Sequence, residues 1–150
     1  MSEHRATIDW SRTSSDFTYN TYNRDHTWRF GSGQSLGASA APGYKGNPDL
    51  VDPEEAFVAS LSACHMLTFL ALAAKRGFTV DRYVDEAVGH LAKGSDGKLA
   101  IARVELSPEI AFQGTAPTPD ELEQLHHAAH GHCFIANSVR TEVAVVAARV

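Results

Sequence analysis

The sequence predicts an α+β fold, an antiparallel sheet wrapped around one long, buried central helix. Three observations predict it. The run AFVASLSACHMLTFLALAA, residues 56–74, contains no Asp, Glu, Lys or Arg and lies between strong helix start and stop signals. Short segments of strand-like composition flank it, broken by Gly, Asn, Asp and Ser. A second helix start, Thr118-Pro119-Asp120-Glu121, appears late in the chain.

From the N-terminus, ATIDWS alternates and suits a first strand, SSDFTYNTYNRD is turn-rich, and HTWRF is a second strand. After a GSG turn, QSLGASA is a third extended segment at an edge, and APGYKGNP is loop. Asp52 then caps a helix, with Pro53 at its first position and Glu55 completing a capping box. That helix runs to Arg76 and stops at Gly77. RYVDEAVGHLAK and KLAIARVELSPEIAF read as two strands joined by a turn at Ser95, Asp96 and Gly97. The second helix ends at Gly131 and has Leu122, Leu125 and Ala129 as its apolar face. CFIANSV is a short helix and TEVAVVAARV a closing strand. The first helix is apolar nearly all round, more than one small sheet can cover. The sequence therefore predicts an obligate homodimer in which a partner covers the rest.

A chain of 150 residues with 43% hydrophobic and 21% charged residues suits one domain over 1–150. A net charge of -5 and a pI near 5.9 argue against nucleic acid as a partner. The polar start MSEHRATIDW is unlike a signal peptide, and the chain is expected in the cytoplasm. Residues 56–74 approach the length of a bilayer span. They are Ala-rich and carry Ser60, Ser62, His65 and Thr68, so a buried helix is expected and a membrane partner is not. No cofactor motif is present.

The two cysteines carry the most functional information. Cys64 lies in the middle of the apolar helix, and Cys133 lies far down the chain, just past the second helix. That placement suits a redox pair assembled by the fold rather than a local metal loop.

The run NPDLVDPEEAFVASLSACH resembles the OsmC/Ohr family of thiol-dependent peroxidases. The family has a Pro-Glu pair opening a long helix and a cysteine ten residues after the Glu, which Glu54 and Cys64 match. Its second cysteine follows another helix and starts a short helix before a C-terminal strand, as Cys133 does. The first-loop Arg-Asp of its organic hydroperoxide resistance branch is similar to Arg24-Asp25, just before the second strand. Order and spacing agree over essentially the whole chain, closer to the broad OsmC-like group than to a typical Ohr. Two departures stand out. Phe134 follows Cys133 where the family usually has Pro, and the loop from Gly43 to Val51 is longer than in many members. The resemblance implies an intertwined homodimer with shared active sites. It implies reduction of organic hydroperoxides, with hydrogen peroxide as a further substrate. It also implies a dithiol reductant, lipoyl-type in the Ohr branch.

The chemistry can be argued beside the resemblance. A thiol attacks peroxide as thiolate, and burial opposes that form. A working Cys64 needs a cation that keeps its charge. Arg24 is the candidate and Arg29 the fallback. Glu54 could hold Arg24 by a bidentate ion pair or only favour the helix dipole; Glu55 takes the capping role. Glu54 and Cys64 lie roughly 15 Å apart along the helix axis, so a partner's helix start is expected to complete the site. Cys64 would become a sulfenic acid, and Cys133 would condense with it to a disulfide.

Other readings stay open. A non-catalytic ligand-binding or stress protein could use the same fold with idle thiols. HHAAHGHC places His126 and His130 at helical spacing with His132 and Cys133 beyond, a possible metal module; the simpler expectation is solvated histidines on the polar face. His65 points about 100° from Cys64 and makes a poor base for it. His26 could line a site mouth. Trp28, Phe30, Phe57 and Phe134 are either an apolar pocket or plain core.

Overall fold

The structure is a computed structural model and describes residues 1–150. The chain divides into two compact units, Met1–Ala56 and Phe57–Val150. The long helix α1, Pro53–Lys75, begins in the first and continues in the second.

The first unit is a three-stranded antiparallel sheet in the order β1-β2-β3, formed by β1 (Ala6–Asp9), β2 (His26–Phe30) and β3 (Ser35–Ala38). The register sets Ile8 opposite Trp28 and Trp28 opposite Leu36. β3 is an edge strand, as expected, and a parallel bridge from Ala38 to Val51 leads the chain to the cap of α1. The segment expected as loop contains a 3₁₀ turn at Pro42–Tyr44. Gly46 is needed there, because a Cβ would fall 1.5 Å from the Ala40 carbonyl oxygen. The expected capping box is formed. The Glu55 N–H donates to the Asp52 carboxylate at 2.8 Å, and the Asp52 N–H donates to the Glu55 carboxylate at 3.2 Å.

The second unit is built on one stripe of α1. Leu61, His65, Phe69 and Ala73, four residues apart, are its buried residues. Leu61 packs with Val104 and Leu106 in one apolar cluster; Phe69 and Ala73 pack with Ile110, Leu122, Leu125 and Ala129 in another. Burying Leu61 and Phe69 contributes about 2 kcal/mol each. The opposite stripe, Ala59, Ala63, Leu67 and Ala71, is exposed in this chain, Leu67 at 63%. By length and composition α1 could cross a membrane. Past Lys75 the helix closes in a Schellman turn. Phe78 N–H bonds the Ala73 carbonyl, Gly77 N–H bonds the Ala74 carbonyl, and Gly77 takes φ 83°.

The two long strands expected after α1 are each divided in two. β4 (Thr79–Asp85) pairs antiparallel with β7 (Pro108–Gln113), while β5 (Val88–Lys93) pairs with β6 (Leu99–Leu106). The division falls where the Asp85 carboxylate accepts the Ser107 N–H at 2.6 Å and the Ser62 hydroxyl at 2.5 Å. A side chain takes the donor that a continuous ladder would have used. The expected turn at residues 94–98 is present, with Gly97 at φ 76°.

The all-antiparallel expectation fails at the last strand. β8 (Glu142–Val145) runs parallel to β6, giving the order β5-β6-β8. The route from β6 to β8 through β7 and the helix α2 (Pro119–His132) is long enough for a parallel return. α2 starts with the expected capping box, Thr118 with Glu121, and ends one residue beyond Gly131. The short helix expected at CFIANSV is a 3₁₀ turn, Ala136–Ser138.

Two glycines test these turns. Gly77→Ala should destabilise by about 1 kcal/mol in urea unfolding, the strain of a Cβ at positive φ. Gly46→Ala should cost more, because the added carbon meets backbone rather than space. Equal stabilities would contradict the close approach at Ala40.

Candidate active site

The two cysteines come together in the second unit. Both are free thiols, Cys64 half-buried and Cys133 1% exposed. α1 presents Cys64 one position before the buried stripe, and the Thr68 hydroxyl bonds the Cys64 carbonyl at 2.9 Å. Cys133 closes α2, its N–H bonding the His130 carbonyl at 3.2 Å. Its sulfur then accepts the Ala136 N–H at 3.4 Å, as a cap of the next turn. The turn forms with Phe134 in the place of Pro, and the Phe134 ring is 82% exposed.

The Cys64 thiol is a near neighbour of the Cys133 thiol. Burial pushes the Cys133 pKa up, and the neighbouring Cys64 pushes it further, against smaller lowering by the Ala136 and Ile135 N–H groups. Cys133 is thereby held as a protonated thiol. The pair can do the chemistry of a disulfide, in which one sulfur reacts first and the other follows.

The remaining candidate residues belong to the first unit. The Arg24 guanidinium donates to the Tyr22 carbonyl at 2.8 Å and the Tyr19 carbonyl at 2.7 Å. It lies 4.0 Å over the Tyr22 ring and 5.2 Å over the Tyr19 ring. Arg24 and Glu54 are not paired within the chain; Glu54 is exposed in the first turn of α1. Arg29 forms a surface ion pair with Asp9 at 2.8 Å.

Residues around Arg24 hold its backbone. The Trp28 indole donates to His26 Nε2 at 2.7 Å, so His26 Nδ1 carries the hydrogen and donates to the Arg24 carbonyl at 2.7 Å. The Asp25 carboxylate accepts the Ser39 hydroxyl at 2.8 Å and the Asn47 amide at 3.2 Å, with Ser39 fully buried. Of the aromatic residues suggested for a pocket, Trp28 meets Phe30 edge-on at 6.5 Å, and Phe57 packs on the Leu61 cluster.

One expectation is overturned. His126 is not a solvated histidine but is 6% exposed and faces inward. Its Nδ1 lies 3.0 Å from Nε2 of His65, which is 1% exposed, and the two ring planes are parallel within 7°, their centroids 5.3 Å apart. Phe69 stacks on His126 at 4.6 Å. The signal was available: His126 sits at the i+4 position of the series Leu122, Leu125, Ala129, on the same apolar stripe. His130 and His132 remain exposed, and no three His, Cys, Asp or Glu side chains converge into a metal-ligand set.

The burial of Cys133 and its raised pKa predict an order of reactivity. Limited alkylation near neutral pH, read by peptide mass mapping, should label Cys64 before Cys133. Cys133 should react at a matching rate only in the unfolded chain. Faster labelling of Cys133 in the folded protein would contradict its raised pKa and burial.

The family model described as OsmC-like protein matches residues 46–147. An OsmC-like protein of unknown function from Vibrio cholerae has 52% sequence identity and a TM-score of 0.91, covering 95% of this chain and 97% of that one. An organic hydroperoxide resistance protein from Elizabethkingia anophelis shares the fold at 21% identity and a TM-score of 0.72, covering 99% and 95%. A putative organic hydroperoxide resistance protein from Vibrio cholerae, with captopril bound in one of its active sites, has 21% identity and a TM-score of 0.69, covering 99% and 91%. No curated protein gives a significant match. The chain belongs to the OsmC-like family.

Proposed function

As a member of that family, we propose, the protein is a thiol-dependent peroxidase that reduces organic hydroperoxides through Cys64 and Cys133. The observation that carries the reading is the thiol pair itself: two free cysteines from distant segments, side by side, with Cys133 held protonated. A pair joined only for packing would have no need of that arrangement. The names of the hydroperoxide resistance proteins sharing the fold support the substrate class.

The Cys64 thiolate attacks one peroxide oxygen; the O–O bond breaks and its electrons leave with the alkoxide, which takes a proton to become the alcohol. Cys64 is left as a sulfenic acid. The Cys133 sulfur displaces the hydroxyl group, forming a disulfide and releasing water. A dithiol, of lipoyl type in the family's Ohr branch, then reduces the disulfide by exchange. Arg24 is assigned the activating charge and Glu54 the carboxylate that holds it. The protein acts as a homodimer in the cytoplasm, and no metal or organic cofactor takes part. The exposed uncharged stripe Ala59, Ala63, Leu67 and Ala71 supports the dimer, because water is a poor neighbour for it.

Cys64→Ser should abolish peroxide consumption. Cys133→Ser should react once in stopped-flow and then over-oxidise with excess peroxide. Full single-turnover reactivity in Cys64→Ser would sink the assignment, and its loss only in Cys133→Ser would reverse the two roles.

Subunit mixing tests the shared site. Glu54→Ala and Cys64→Ser chains, each inactive alone, should regain activity when refolded together. Each heterodimer would have one complete site and up to about half the wild-type activity, by symmetry. A verified heterodimer without recovered activity would refute the cross-subunit site, and a monomer by light scattering would remove its premise.

A further inference from the structure

We propose that His65 and His126 are a positioning pair, whose hydrogen bond between α1 and α2 holds Cys64 and Cys133 in disulfide-forming register and is released by acid. The inference rests on the redox reading of the two thiols and adds residues that take no part in the bond changes.

Placement is the first argument. His65 directly follows Cys64 on α1, and His126 lies two turns before Cys133 on α2. Their 3.0 Å contact is a side-chain hydrogen bond between the two helices that carry the thiols. Beside it, Phe69 and Ala73 of α1 and Leu122, Leu125 and Ala129 of α2 belong to one apolar cluster. Apolar packing is non-directional and tolerates small slides. A hydrogen bond between near-coplanar rings does not.

Chemistry is the second. The outer nitrogens, His65 Nδ1 and His126 Nε2, are buried with no partner. Unpaired buried polar atoms lower stability, and two leucines would avoid that penalty. A polar pair kept in an apolar contact suits a role in register rather than in stability.

Acid sensitivity follows from the same site. Both imidazoles are pushed down from 6.5 to about 4, first by burial. His130 on α2 lowers His65 further, Asp85 on β4 partly opposes this, and His65 lowers His126. The nearby Tyr83 hydroxyl on β4 is buried and unpartnered, its pKa raised by burial and then by Asp85. The folded pKa values lie below the unfolded value. The pair therefore supports the fold fully above about pH 6.5 and loses that support as pH falls toward about 4. A doubly protonated pair has donors on both facing nitrogens and no acceptor between them.

The test uses the full chain and oxidised dithiothreitol, with no peroxide. The two protein thiols exchange with the cyclic disulfide, forming the Cys64–Cys133 bond and leaving reduced dithiothreitol, a transfer of two electrons and two protons. The equilibrium constant is read by acid quench, alkylation and mass. His126→Phe keeps a ring on Phe69 but offers no acceptor, and should lower the constant about fivefold. His126→Asn offers an acceptor near the Nδ1 position that does not titrate, and should stay within about twofold of wild type. Between about pH 7 and about pH 4 the wild-type constant should fall more than that of His126→Asn. An unchanged constant in His126→Phe, or an equal loss in His126→Asn, overturns the positioning role. Should His126→Phe fail to fold, a His126→Asn pH dependence as steep as wild type overturns it alone. A wild-type chain that never forms the bond overturns the redox reading as well. A chain that forms it but ignores peroxide leaves the positioning role standing and removes only the peroxidase.

Discussion

One stripe of one helix organises the second unit. Leu61, His65, Phe69 and Ala73 are spaced by four residues, and each meets a different part of the interior. Leu61 closes one apolar cluster, Phe69 and Ala73 close another, and His65 sits between them and reaches α2 through His126. Cys64 is one step off that stripe. Its position is therefore set by everything that packs the stripe, without its sulfur being fully enclosed. The helix that supplies the core also supplies the thiol, and the two roles are separated by a rotation of about 100°.

The ends of both helices serve the same arrangement. Asp52 with Glu55, and Thr118 with Glu121, fix where α1 and α2 begin. Cys133 is both the last cap of α2 and the acceptor for the Ala136 N–H of the following turn. Its backbone and sulfur are held by local hydrogen bonds before any chemistry occurs. In the first unit, Arg24 is held in a similar way, by carbonyls, two aromatic faces and the His26–Trp28 pair.

Local signals made much of this legible. Capping boxes, the Gly77 stop and the short strands of the first unit depend on neighbours in sequence, and they appear where the sequence puts them. What was missed depends on distant groups. Asp85 divides two strands because Ser107 and Ser62 reach it from elsewhere, and no local pattern announces that. The parallel pairing of β8 with β6 is likewise a matter of topology. His126 is a different case. Its spacing from Leu122 and Ala129 places it on the apolar stripe, but its residue type and neighbouring histidines suggested solvent. The cysteine pair could be suspected from its placement, whereas the closeness of the two sulfurs needed the fold.

The proposed function depends on Cys64 and Cys133 acting as a pair in peroxide chemistry. The direct measurement is intact mass and peptide mapping of the reduced protein after one equivalent of an organic hydroperoxide. The chain should lose two hydrogens and give a single cross-linked peptide joining Cys64 to Cys133. An unchanged mass with both thiols free would contradict it and favour a binding protein on the same fold.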